Sequence, residues 1–265
     1  MGKIIAICNQ KGGVGKTTTV VNLSACLAAL EKKVLIIDMD PQGNASQGVG
    51  LHEVQDEDIY EALQWAEDLK TLNTNSINSI IHNTDIPFLK ILPSSTSLAG
   101  FELEVANKLK REFRLKEVIE RIKDDYDYIF IDSPPSLGLL TINVLTAADS
   151  IIIPIQCEYY ALQGLTEMLN TIRLVQKSLN SQLEIEGALL TMFDHRLNLS
   201  KQVAEEVQNC FSERVFKTII PRNVRLSEAP SFGKPIILHD ILCSGSQKYM
   251  ELAKEFIQMQ EALNG

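Results

Sequence analysis

The chain has 265 residues, 45% of them hydrophobic and 22% charged, the balance of a soluble globular protein that buries a sizeable core in one domain. No apolar run reaches the about 20 residues needed to span a bilayer, and the N-terminal run Ile4-Ile5-Ala6-Ile7-Cys8 turns polar at Asn9, which argues against an integral membrane or secreted protein and for a cytoplasmic one. Lys plus Arg number 25 against 34 Asp plus Glu, a net charge of -9, so contact with nucleic acid would need a local basic patch.

In chain order, short apolar, β-branched runs recur at residues 4–8, 34–37, 88–92, 128–131, 151–155, 188–192 and 215–220. Continuous runs of this kind suit strands buried on both faces of a parallel sheet. Between the first two, Val20, Leu23, Leu27 and Leu30 recur on one face of a helix predicted over 17–30. This βαβ unit, repeated, predicts an α/β fold: a doubly wound, mostly parallel twisted sheet with helices on both faces, in a single domain over 1–265. Residues 53–83 are polar and irregular and read as a helical excursion on the surface. The five scattered cysteines (Cys8, Cys26, Cys157, Cys210, Cys243) include no Cys-x-x-Cys pair, which predicts neither a disulfide framework nor a zinc site. His52, His82, His195 and His239 show no metal or triad spacing.

The segment Gln10-Lys11-Gly12-Gly13-Val14-Gly15-Lys16-Thr17-Thr18-Thr19 lies between the first strand and the first helix, the context in which a phosphate-binding loop works. Glycines let the backbone curl so that successive N–H groups meet phosphate oxygens, and the following helix offers its positive end. Lys16 would reach the β- and γ-phosphates and the Thr17 hydroxyl would ligate Mg²⁺. Gln10 stands where the usual pattern has glycine, so the loop is a variant with an extra lysine, Lys11. After the second strand comes Asp38-Met39-Asp40-Pro41-Gln42-Gly43-Asn44, where period-two geometry lets both carboxylates face one site. They could serve Mg²⁺ or the attacking water, or simply cap a turn before Pro41; the pattern leaves both uses open. The run 126–131 ends in Asp132, followed by Ser133-Pro134-Pro135, where a phosphate-loop NTPase keeps its second magnesium aspartate. Ligands in open α/β sheets bind at such strand ends.

These three clusters, together with Ile220-Pro221-Arg222-Asn223-Val224-Arg225-Leu226-Ser227-Glu228-Ala229-Pro230, closely resemble the ParA/Soj chromosome-partitioning ATPases from Met1 almost to the C-terminus. The resemblance implies an ATP hydrolase using ATP and Mg²⁺, with nucleotide held by Lys11, Gly12, Gly13, Val14, Gly15, Lys16, Thr17 and Thr18. It implies that Lys11 is a signature lysine reaching the partner's nucleotide in an ATP homodimer, and that Asp40 positions the attacking water. By the same resemblance, Thr17 and Asp132 serve Mg²⁺, and Pro221 and Asn223 touch adenine. It further implies that the ATP dimer binds double-stranded DNA without sequence preference through Arg196 and Arg225, that a ParB/Spo0J-type protein stimulates hydrolysis, and that the protein associates with the nucleoid. After His239-Asp240 the family usually continues with proline and arginines, whereas this chain reads Ile241-Leu242-Cys243-Ser244-Gly245-Ser246. Two DNA-facing charges are thereby missing. No helix-turn-helix segment precedes the first strand, which argues against site-specific operator binding.

Residues 194–235 carry seven basic side chains (Arg196, Lys201, Arg214, Lys217, Arg222, Arg225, Lys234) and five acidic ones (Asp194, Glu205, Glu206, Glu213, Glu228), +2 in a chain of -9. Charge alone favours an ordinary solvated face, since phosphate contacts need clustering in space. The alternative from another class is a membrane-associated MinD-like ATPase that positions division machinery, which would carry a basic amphipathic C-terminal helix. Here Tyr249, Met250, Ala253, Phe256 and Ile257 form a helical stripe, but residues 246–263 hold Lys248 and Lys254 against Glu251, Glu255 and Glu261. A net negative helix is a poor ligand for anionic lipid, so no stable membrane association is expected and the stripe is predicted to pack on the core.

Overall fold

Alternation along the apolar runs decides which face of the sheet each residue fills. In the computed structural model, which describes residues 2–52, 57–67, 72–158 and 161–264, Ile4, Ala6 and Cys8 enter one buried cluster while Ile5 and Ile7 enter the other. The strands are β1 (Lys3–Ile7), β2 (Val34–Asp38), β3 (His82–Asn83), β4 (Leu89–Leu92), β5 (Tyr128–Asp132), β6 (Ser150–Gln156) and β7 (Glu184–Thr191). They form one seven-stranded sheet in the order β3-β4-β2-β5-β1-β6-β7. All neighbours are parallel except β3 and β4. The predicted doubly wound, mostly parallel sheet is therefore the observed one. Register sets Ile7 and Asp38 on either side of Asp132, so the ends of β1, β2 and β5 meet at one place.

Helix α1 (Lys16–Ala29) follows β1 and buries Val20, Leu23 and Leu27 against one face of the sheet. The C-terminal helix Ser244–Asn264 lies beside it. Its predicted stripe does pack on the core: Tyr249, Ala253 and Phe256 are buried, the Phe256 ring meets Tyr128 edge-on at 5.2 Å, and the Tyr249 and Thr19 hydroxyls lie 3.2 Å apart. Burying such a stripe contributes about 1.5–3 kcal/mol for each large apolar side chain. Among the described residues, no helix is long and apolar enough to cross a membrane.

Two expectations change. Residues 215–220 are not a strand: bridges to β7 and its extension form only at the ends, Val215 with Ala188 and Pro221 with Phe193. Between them the Lys217 and Thr218 amides donate to the Glu255 carboxylate, at 2.7 and 2.9 Å, so the ladder is replaced by a side chain of the C-terminal helix. The excursion over 53–83 is helical as expected, with helices Ile59–Trp65 and Thr74–Ser79, but it is not confined to the surface: Ile59, Leu63 and Ile77 join the buried core, and it ends in β3, an antiparallel edge strand too short to read as a run; residues 53–56 and 68–71 lie outside the described residues.

Candidate nucleotide site

The phosphate loop leaves β1 through Asn9, whose side chain is buried and donates to the Pro154 carbonyl at 2.7 Å while accepting the Lys11 amide at 3.0 Å. The loop is thus tied to β6 at its root. Gly13 and Gly15 take φ of +74° and +90°, left-handed conformations that favour glycine. Gly15 is the N-cap of α1, no side chain caps that end, and no acidic residue occupies the first turn. The first amides of α1 are thereby kept for an anion.

Lys16 is 7% exposed, with its Nζ 3.4 Å from the Lys11 carbonyl. Burial lowers its pKa, opposed by the nearby Asp132. Thr17 donates its hydroxyl to Asp132 Oδ2 at 2.7 Å. Asp132 is fully buried and its other oxygen, Oδ1, has no partner. Burial, then the adjacent Asp38, raise its pKa, partly offset by the Thr17 hydroxyl and Lys16. An unsatisfied carboxylate oxygen beside a threonine hydroxyl is the donor set that magnesium takes, and the ion would relieve both the missing partner and the carboxylate repulsion.

The two aspartates of β2 part company. The strand ends at Asp38, so period two does not extend to Asp40, and the two carboxylates take different partners although they remain close enough to repel each other. Asp38 is wholly engaged: Oδ2 accepts the Ser46 amide and hydroxyl at 2.9 and 2.8 Å, and Oδ1 accepts the Asp40 amide at 3.1 Å. Asp40 instead lines a cavity of about 490 Å³ together with Gly12, Gly13, Gly15, Lys16, Thr17 and Thr18. One of its oxygens is held by the Gln42 amide at 3.0 Å.

Sequence reading missed the far wall of this cavity. Met192, at the end of β7, and Ala229, Pro230 and Lys234 complete it; Ala229 and Pro230 stand in the family-like segment 220–230, but only folding brings them opposite the loop. Lys234 reads from the sequence as a surface charge. Pro221 and Asn223 are not among the lining residues. Pro221 bridges to Phe193, and Asn223 caps the helix Val224–Glu228 while donating to the Ser244 hydroxyl at 2.8 Å. Val14 is buried and its carbonyl accepts the Thr191 hydroxyl.

Arg196 and Arg225 both lie outside the cavity. Arg196 pairs with Asp194 at 2.9 and 2.6 Å and holds that carboxyl well below the usual carboxylate range. Arg225 pairs with Glu228 at 2.9 Å and Asp240 at 3.5 Å. Ile241 and Leu242, where the resemblance implies proline and arginines, are 67% and 81% exposed.

The AAA domain family matches residues 2–185. The chain is 57% identical to the sporulation initiation inhibitor protein Soj of Bacillus subtilis over 96% of this chain and 98% of that one. It is 52% identical to the chromosome partitioning protein ParA of Myxococcus xanthus, over 97% and 89%. Among solved structures, cobyrinic acid a,c-diamide synthase of Mycobacterium smegmatis with bound ADP and magnesium superposes with a TM-score of 0.82 at 33% identity, over 98% of this chain and 96% of that one. With the sheet, the phosphate loop and these relatives in agreement, the chain belongs to the ParA/Soj family of chromosome-partitioning ATPases.

Proposed function

We propose that this ATPase dimerises when it binds ATP and Mg²⁺, binds DNA without sequence preference as the dimer, and drives partition with a ParB-type partner at the nucleoid. The observation that carries the nucleotide chemistry is the Thr17–Asp132 contact with an unpartnered Asp132 oxygen, set beneath the uncapped end of α1 and beside buried Lys16. Lys16 supplies a point charge for the β- and γ-phosphates, and the loop amides hold phosphate oxygens. Thr17 and Asp132 would hold Mg²⁺, which neutralises phosphate charge when bound. Asp40, with an edge in the cavity, orients water toward the γ-phosphate. Lys11 reaches the partner's nucleotide, and Pro221 and Asn223 meet adenine once the base is seated.

DNA binding rests on weaker support. A chain of -9 would need two protomers to bring their basic segments to one face, and the exposed pairs at Arg196 and Arg225 exchange carboxylate for DNA phosphate at little cost. Gel shifts with unrelated DNA fragments across a salt series test this reading. Binding with ATP but not ADP, equal for all fragments, is expected; sequence-selective binding, or equal binding by the ADP form, would contradict it. The MinD-like alternative calls for an amphipathic C-terminal helix available to lipid, whereas Tyr249, Ala253 and Phe256 of this stripe are buried and Met250 and Ile257 partly so.

A further inference from the structure

Lys11 is bound within its own chain. Its Nζ lies 3.9 Å from Glu158 Oε2, just beyond the end of β6, and the other oxygen of the same carboxylate accepts Arg222 Nη2 at 3.0 Å. The Lys11 backbone is fixed by Asn9 and its carbonyl faces Lys16, so the side chain is the part free to move. Glu158 therefore ties the phosphate loop to the segment that carries Pro221 and Asn223, through one carboxylate shared by two cations. At 3.9 Å the lysine arm is an ion pair without a hydrogen bond, and both side chains are partly exposed, so the contact is weak enough to break.

We infer that Glu158 is a positioning residue that restrains Lys11 inside its own protomer and thereby sets the protein concentration at which the ATP dimer forms. The inference rests on the ATP dimer proposed above, in which Lys11 crosses to the other subunit. Each dimer must then break two such contacts, one per protomer. The triphosphate wins because it offers several negative charges where Glu158 offers one already shared with Arg222. Arg222 keeps the carboxylate in place afterwards, so the restraint is ready when hydrolysis separates the subunits.

Sedimentation of full-length protein with ATP and Mg²⁺ over a range of protein concentrations tests this. Glu158→Gln should lower the midpoint of dimerisation by between about twofold and thirtyfold, the range two exposed ion pairs supply, while leaving ADP affinity unchanged. Glu158→Asp, which keeps the charge, should lie nearer the wild type. The gap between wild type and Glu158→Gln should close near 1 M salt, where charges are screened within about 3 Å; a purely structural role would not respond so. If the wild type dimerises with ATP and Glu158→Gln needs the same or a higher concentration, the restraint is wrong and the dimer stands. A wild type that stays monomeric overturns the dimer and the restraint together.

Discussion

At the phosphate loop, Lys16 and Asp132 are held at 7% and 0% exposure by strand ends and helix α1, whereas the Arg196 and Arg225 side chains project outside the cavity, 79% and 57% exposed and already paired with carboxylates. The first region gathers a buried cation, a carboxylate oxygen without a protein partner and a helix end that no side chain caps. A ligand there replaces missing partners, so each residue counts heavily. The second region is a set of exchangeable surface pairs, each worth about 0–1 kcal/mol. The proposed DNA binding at that surface would have to sum many weak contacts over two subunits, and single substitutions there should have small, graded effects.

The largest effect is expected at Lys16. Lys16→Ala should abolish ATP-dependent dimerisation and reduce hydrolysis by at least about a hundredfold, because its charge acts where water is excluded; dimerisation to the wild-type extent would contradict the assignment. Asp40→Ala comes next. Hydrolysis should fall by about a hundredfold or more, yet ATP dimers should persist and even accumulate, as the proposed role of orienting water and not holding nucleotide requires. Steady-state hydrolysis measured beside sizing separates the two defects, and wild-type turnover by the variant would move the water-positioning role elsewhere.

Effects at the surface should be an order of magnitude smaller. Arg196→Ala or Arg225→Ala should weaken binding to every DNA sequence alike and lower the salt slope by about 0.9 for each DNA phosphate that the variant no longer neutralises, with hydrolysis unaltered. The comparison can also be sharpened by adding charge. Ile241→Arg and Leu242→Arg place cations where exposed apolar side chains now stand, and each should steepen the salt slope by about 0.9 if that loop faces DNA. An unchanged slope would take the loop out of the DNA face.

The contrast between the regions also explains what can be read from residues alone. The loop glycines, Lys16, Thr17 and Asp132 are legible because local rules fix them: left-handed turns demand glycine, and strand ends in a parallel sheet converge. The separation of Asp38 from Asp40 is not, because it depends on Ser46, which folds back to occupy the first carboxylate. The failed strand at 215–220 likewise turns on Glu255, which no local pattern in that run announces. Lys234 and Met192 reach the cavity only through the sheet's closure with the C-terminal segments. At the surface, the Arg196–Asp194 pair is visible as a two-residue spacing, but Arg225–Asp240 needs the fold.

The proposed function passes through a nucleotide-dependent dimer, so the decisive measurement is the solution mass of the chain with ATP and Mg²⁺, with ADP and Mg²⁺, and without nucleotide. About twice the 29.6 kDa of the chain is predicted with ATP alone, and the monomer in the other two cases. A monomer in all three, or a dimer in all three, would contradict the account.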